Sequence, residues 1–345
     1  MKIVVTARSG AREFECEPGE KILHAGLRSG IELPYECGTG TCGTCKARLV
    51  SGRVESEWPD APGSRYLKGP AELLMCQCVA REECALEVGV LKSGDAGAPL
   101  PGALGGRVRG RRRLTHDVAA FDVDLDRPLD FAAGQFALLT VPGIAGARAY
   151  SMVSFERAAR RLSFVVKKKP GGAVSEWLFG DEVEDTPVGL FAPLGHATFH
   201  PGLQKHVLCI AGGSGIAGMM SILQCAGEAG HFAGWDGHVF FGVRSERDRF
   251  FLDELQAFQA RHPARLAVTV ALSDEDVPAG LSAAYPGLAF ARGLVHAVAG
   301  ERMAGRFADV RAYVAGPPPM VDASLRLLLR EARLSPADIR YDKFS

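Results

Sequence analysis

Apolar and polar residues alternate from the first positions, Met1-Lys2-Ile3-Val4-Val5-Thr6, with the two-residue period of a half-buried strand. A second short run, Glu13 to Cys16, a turn at Pro18-Gly19, a helix over about Lys21 to Ser29 and a Gly/Cys-rich loop complete a small α+β module over residues 1–92. Residues 93–105 are rich in Gly, Ala and Pro and have no period, so they read as a linker. From 106 to 200 come short alternating runs, among them Val118 to Leu125, Phe136 to Val141 and Leu162 to Val166, punctuated by Pro and Gly. That spacing predicts an antiparallel β-barrel. Over 201–345 apolar strands (Val207 to Ala211, His238 to Val243, Leu266 to Leu272, Arg311 to Ala315) alternate with helical stretches (about Ile216 to Ala229, Asp248 to Ala260, Met320 to Ala332), the βαβ pattern of a parallel sheet. The predicted class is multidomain, α+β followed by α/β.

Composition adds exclusions. Lys plus Arg and Asp plus Glu both number 40, so no global field steers the chain toward nucleic acid or an anionic membrane. The one dense basic run, Arg107, Arg109, Arg111, Arg112 and Arg113, has no aromatic residues for base stacking and reads as a solvated strand edge. There is no apolar run near the about 18 residues that a membrane span requires and no signal-like segment, which points to the cytoplasm. Nine cysteines, five of them crowded between Cys37 and Cys78, indicate metal rather than disulfides in a reducing compartment.

Cys37, Cys42 and Cys45, with Cys76 after thirty intervening residues, fit C-x4-C-x2-C…C, the spacing of a plant-type [2Fe–2S] cluster. Gly38, Gly40 and Gly43 let such a loop turn tightly with its N–H groups toward sulfur, while Thr39, Thr41 and Thr44 are small enough not to block it. Structural zinc is the rival, although the loop holds no His. Cys78 competes with Cys76 as fourth ligand; Cys16, Cys78, Cys84, Cys209 and Cys225 otherwise read as small buried hydrophobes.

Two further constellations suit nucleotides. Arg148-Ala-Tyr150-Ser151 ends a predicted barrel strand, and Gly171-Gly172-Ala-Val-Ser175 opens a predicted helix. An Arg pairs with pyrophosphate, a Tyr ring covers an isoalloxazine face, a Ser hydroxyl reaches flavin N5, and a helix start offers N–H groups to phosphate. Gly212-Gly213-Ser214-Gly215 follows a strand and begins a helix, which lets a dinucleotide's phosphates approach closely. A full Rossmann fingerprint also needs an acidic residue ending the second strand, where the chain has Val243-Arg244-Ser245. Arg244 and Arg247 there suit either a 2′-phosphate or plain solvation. A hydrolase's G-x-S-x-G elbow fails at Ile216.

With these motifs in order, the chain resembles the reductase components of bacterial multicomponent oxygenases: a plant-type ferredoxin fused to a ferredoxin–NADP reductase-like unit. The stretch Trp58-Pro-Asp-Ala-Pro-Gly63, with Pro34-Tyr-Glu-Cys37, looks most like the toluene and xylene monooxygenase type. The resemblance implies a β-grasp fold for the ferredoxin part. It also implies FAD held by Arg148, Tyr150, Ser151, Gly171, Gly172 and Ser175, with Tyr150 and Ser151 positioning the hydride acceptor. NADH, rather than NADPH, is expected at Gly212, Gly213, Ser214, Gly215, Gly316 and Pro317, and Phe344 near the flavin or as an ordinary strand-end aromatic. The family commonly has Cys where this chain has Ala315 and Pro where it has Gly218; the first bears on hydride-transfer rate, the second on the stiffness of the helix start. The implied function is electron transfer from NADH through FAD to [2Fe–2S] and on to an oxygenase component or its intermediary ferredoxin, by a monomer. Alternatives are a reductase for deoxysugar synthesis or another ferredoxin-linked acceptor, and a redox-sensing flavoprotein.

Overall fold

A computed structural model describes residues 1–91 and 99–343. Phe344 and residues 93–98 of the predicted linker lie outside the described residues. By contacts the chain divides into two compact units, residues 1–105 with 137–149 and 188–194, and the remainder.

The first 91 residues hold β1 (Lys2–Ala7), β2 (Gly10–Glu15), α1 (Ile22–Arg28), β3 (Lys46–Ser51), β4 (Val54–Ser56), β5 (Glu72–Leu74), β6 (Cys78–Ala80) and β7 (Cys84–Glu87). The five-stranded sheet runs β2-β1-β7-β3-β5, with β1 antiparallel to β2 and parallel to β7. The alternation read from residue 1 has its expected outcome: Ile3 and Val5 are fully buried, and β4 and β6 pair as a separate ribbon. Most of the span between α1 and β3 has no regular secondary structure, and the cysteine loop occupies it.

The middle region comprises β8 (Gly102–Arg113), β9 (Val118–Leu129), β10 (Phe136–Thr140), β11 (Arg148–Ser151), β12 (Ala159–Lys167), α2 (Ala173–Leu178) and β13 (Pro187–Leu194). Their order is β11-β10-β13-β8-β9-β12, and a bridge between Met152 and Phe164 brings the chain just past β11 onto β12. Two expectations need correction. Gly102 to Gly105, predicted as linker, already belong to β8. The basic run is no edge, because β8 lies between β13 and β9; Val108 is buried while Arg109 pairs with Asp124 at 3.4 Å and with Asp185 at 2.5 Å.

The last region alternates as its sequence predicts: β14 (His206–Gly212), α3 (Ile216–Glu228), β15 (Gly237–Val243), α4 (Leu252–Arg261), β16 (Leu266–Leu272), α5 (Leu281–Ala284), β17 (Ala289–Arg292), α6 (Val295–Arg302), β18 (Val310–Gly316), α7 (Pro318–Arg326) and β19 (Ile339–Lys343). All six strands are parallel, ordered β17-β16-β15-β14-β18-β19. The strand order reverses between β14 and β18, the switch point where such sheets bind ligands at their carboxyl ends. Two helices start or end differently from the pattern: α4 begins at Leu252 after a 3-10 turn over Glu246–Asp248, and α7 gives way to a π turn over Leu327–Glu331. The core here continues into barrel residues Val118, Ala120, Ala133 and Phe199. Ser221 on α3 joins the two regions, accepting the Gly134 N–H and donating to the Gly218 carbonyl, both at 2.9 Å.

Candidate cluster and nucleotide sites

The cysteine loop brings four thiols together as two pairs. Cys45 Sγ lies 3.1 Å from Cys76 Sγ, and Cys37 hydrogen-bonds Cys42. The first pair is buried and the second half-buried. Within each pair one thiol keeps its proton and donates it to the other sulfur: the bond from Cys42 pulls the Cys37 pKa down and that from Cys45 pulls the Cys76 pKa down, while Cys42 and Cys45 rise, helped by their burial. Donors converge on the sulfurs as anionic sulfur requires. The Thr39 N–H reaches Cys37 Sγ at 3.4 Å, the Thr44 N–H reaches Cys42 Sγ at 3.5 Å, and the Gly40 N–H points to Cys76. Gly38, Gly40 and Gly43 hold φ of 67°, 81° and 78°, a region costly for residues with a Cβ. This arrangement of four thiols with N–H donors and no carboxylate or imidazole ligand suits an iron–sulfur cluster.

Cys78 is not at this centre. It opens β6, bonds Ser56, and burial pushes its thiol up to about 11. Cys16, Cys84, Cys209 and Cys225 are also buried. Burial raises the first to about 11, Cys209 to about 12 and Cys225 to about 11, which keeps them inert thiols.

Three supports of the loop went unread in the sequence. The Gln77 amide donates to Cys76 Sγ at 3.5 Å. Gly63 sends its N–H 2.8 Å to the Gly40 carbonyl, and a Cβ there would lie only 2.8 Å from that oxygen, which explains the glycine ending the Trp58-to-Gly63 stretch. The Tyr66 ring covers Gly43, where a Cβ would meet it at 2.5 Å. On the other side of the loop Gly38 faces Leu138 of β10, 3.1 Å from where its Cβ would be, and His24 of α1 stacks on Phe191 of β13 at 4.0 Å. Their signal was only a glycine spacing, whose partners lie far off in sequence.

At the barrel, Arg148 and Tyr150 are half-buried on β11 and Ser151 is buried; Tyr150 meets Phe121 edge-on at 6.4 Å. Ser175 is buried and draws its loop shut, accepting the Lys169 N–H at 3.0 Å and donating to the Gly172 carbonyl at 2.9 Å. Gly171 has φ of 71° with no atom within 4 Å of its missing Cβ, so the loop has an open side that a phosphate fits. Not every N–H expected for phosphate is free, however. Gly171 donates to the Glu176 carboxylate at 2.9 Å and Gly172 to the Lys169 carbonyl at 2.8 Å. A carboxylate is favoured at a helix start for the same reason a phosphate is.

At the parallel sheet, Gly212 ends β14 and Gly213–Gly215 form a 3-10 turn into α3. Gly213 has φ of 53° and faces open space, which a dinucleotide fits. Gly215 is packed on the end of β18: a Cβ there would lie 2.3 Å from the Ala315 carbonyl oxygen and 2.8 Å from the Gly316 nitrogen. At Gly316, with φ 149°, an added Cβ would in turn lie 3.0 Å from the Gly212 carbonyl oxygen. The two loops predicted to bind the nicotinamide dinucleotide are thus brought together at the switch point, with Pro317 at the cap of α7.

Comparison with known proteins follows the same three regions. Residues 5–81 match the 2Fe-2S iron-sulfur cluster binding domain, 106–199 the oxidoreductase FAD-binding domain and 209–325 the oxidoreductase NAD-binding domain. The ferredoxin–NAD(+) reductase component of the alkene monooxygenase system of Xanthobacter autotrophicus is 34% identical over 340 residues, covering 96% of this chain and 98% of the relative. The chain belongs to that reductase family. The xylene/toluene monooxygenase electron transfer component XylA of Pseudomonas putida is 33% identical, covering 94% and 89%. Among solved structures, the ferredoxin reductase in carbazole 1,9a-dioxygenase matches with a TM-score of 0.83 at 29% identity, over 100% of this chain and 99% of that one. This reductase is therefore an NAD(P)H-dependent flavin iron–sulfur oxidoreductase that uses [2Fe–2S], FAD and NAD(H). Among the described residues no helix is long and apolar enough to cross a membrane.

Proposed function

We propose that this reductase supplies electrons from NADH to the hydroxylating component of a hydrocarbon or aromatic oxygenase, as a monomer in the cytoplasm, either directly or through an intermediary ferredoxin. Bound FAD supplies the conversion of a two-electron hydride donor into single electrons, and the bound cluster a one-electron outlet. Cys37, Cys42, Cys45 and Cys76 would hold the cluster. Arg148 and the Gly171–Ser175 loop bind the flavin's phosphates, while Tyr150 and Ser151 orient its ring, so that catalysis is positioning with no acid–base pair. The Gly212–Gly215 and Gly316–Pro317 loops seat the nicotinamide dinucleotide. The modular reading is 1–92 for the cluster, the region from β8 to residue 200 for FAD and 201–345 for the dinucleotide, with the first two joined through the residues before Gly102.

The observation that carries this reading is the contact of the cysteine loop with the barrel at Gly38 and Leu138. Strand β10, which carries Leu138, is the sheet neighbour of β11, which carries Arg148. The purified chain should contain FAD, two irons and labile sulfide, and an alkene- or xylene-type hydroxylase should accelerate its NADH consumption and form product. Cys45→Ser should retain NADH-driven ferricyanide reduction and lose hydroxylation. Hydroxylation at the wild-type rate in that variant would refute the linear path.

A further inference from the structure

Parallel nucleotide-binding sheets meet the adenosine ribose at the end of their second strand, where an acidic side chain accepts the 2′-hydroxyl or an Arg takes a 2′-phosphate. Here that strand is β15, which ends at Val243, and Arg244 follows it. The Arg244 guanidinium is already engaged: its Nη2 lies 2.9 Å from Asp248 Oδ1 and 3.5 Å from Asp117 Oδ2.

Both carboxylates are held in place. Asp117 belongs to the turn between β8 and β9, outside the nucleotide sheet. Its Oδ1 accepts the Thr115 hydroxyl at 3.1 Å, its Oδ2 lies 3.1 Å from Lys167 Nζ, and its carbonyl accepts the Lys168 N–H at 2.6 Å. Asp248 is buried and accepts the Ser245 hydroxyl at 2.8 Å. Burial alone would raise the Asp248 pKa, yet Ser245 and Arg244 hold it below the ordinary range.

The surroundings are equally balanced. The groove at this edge is lined by Ser245, Glu246, Arg247, Arg249 and Glu275. Arg249 pairs with Glu246 at 3.2 Å, and the Glu275 carboxylate accepts the Glu246 N–H. Four cations (Arg244, Arg247, Arg249, Lys167) face four carboxylates (Asp117, Asp248, Glu246, Glu275). His116, with Nε2 3.7 Å from Asp117 and 3.8 Å from Asp248, completes a group with the spacing of a metal site. Lys167 and Arg244 already neutralise both carboxylates there, so a cation gains little.

We propose that Asp117 sets the coenzyme preference of this reductase: by adding, from the barrel side, a second hold on Arg244 to that of Asp248, it reserves the site for a dinucleotide with a free 2′-hydroxyl and disfavours a 2′-phosphate. A phosphate entering the groove must draw Arg244 away from two fixed carboxylates and sit beside Glu246 and Glu275. A ribose diol brings no charge and disturbs none of these pairs. The inference rests on reading the parallel sheet as the NAD(H) site, and it makes Asp117 a positioning residue acting through Arg244.

The test is calorimetric binding of NAD⁺ and NADP⁺ to the oxidised full-length holoprotein. Asp117→Asn should tighten NADP⁺ by roughly tenfold, the scale of one freed charged contact, and move NAD⁺ by less than about twofold. Adding Arg244→Ala to that variant should erase the gain. Arg244→Ala alone should leave NADP⁺ affinity near the wild-type value, because the guanidinium is not offered to the phosphate while Asp117 and Asp248 both hold it. An unchanged NADP⁺ affinity in a folded Asp117→Asn protein, a gain that survives without Arg244, or a clear loss of NADP⁺ affinity in Arg244→Ala would each overturn the proposal. Should Asp117→Asn not fold, the Arg244→Ala result decides alone. Wild-type protein that binds neither dinucleotide would sink the NAD(H)-site reading and this proposal with it, whereas NAD⁺ binding with any of the contrary results sinks the proposal only.

Discussion

The cysteine loop and the Gly212–Gly215 loop are both glycine-rich, but glycine serves them differently. In the first, Gly38, Gly40 and Gly43 are needed for their own backbone angles, all in the left-handed region, which aims N–H groups at sulfur. In the second, Gly215 is needed for what lies next to it, the carbonyl and following nitrogen that end β18. One loop spends its glycines on local shape and the other on a neighbour about a hundred residues away in sequence. A strained turn relaxes locally, whereas two backbones in contact have nowhere to go.

Breaking the first loop at a ligand has the largest expected effect. Cys76→Ser should abolish the visible absorption and the electron paramagnetic resonance signal of the cluster, while Cys78→Ser, two residues away but bonded to Ser56, should keep both. The reverse pattern would show that the Cys45–Cys76 pair is not the ligand pair. Gly215→Ala comes next. With a Cβ 2.3 Å from a backbone oxygen, it should cost about 2–3 kcal/mol and weaken NAD⁺ binding, read by thermal melting and titration. A wild-type melting curve would mean that the loops separate at little cost. Gly218 sharpens the comparison from the other side, since its added Cβ would meet Gly134 and Ser151 only at 3.6 Å, ordinary contact. Gly218→Ala should therefore stabilise α3 by about 0.5–1 kcal/mol through helix propensity, and a fall in melting temperature would count against the contact described here.

These differences also mark what the sequence made legible. The position of β1 followed from its period because one face is buried, and those of β14, α3 and β16 from nearly unbroken apolar runs because they are buried on almost every side. The four ligands and the order of the nucleotide motifs were likewise visible, because metal spacing and glycine placement are local. What stayed hidden was non-local or short. The strands at Val54–Ser56 and Ala289–Arg292 are too brief to show a period, and the basic run of β8 looked like an edge because only its exposed face carries charge. Tyr66 over Gly43 and Glu176 on Gly171 depend on a side chain meeting a backbone, and Gln77 on Cys76 on the side chains of neighbours turning toward each other. The Asp117–Arg244 contact spans 127 positions, a separation at which no spacing rule applies.

The pairing of Cys45 with Cys76 has a consequence in the statistics of the chain. These residues are 31 apart, whereas Cys37, Cys42 and Cys45 share one short loop, so a cluster bound by all four staples the cysteine loop to the strand region beyond it. Treated as a cross-link, such a closure removes unfolded-state entropy worth about 3–4 kcal/mol. That is a substantial fraction of what a module of this size holds in total. A polypeptide that has not received its iron lacks this closure, and the population it exposes to proteases is expected to be larger by the corresponding factor.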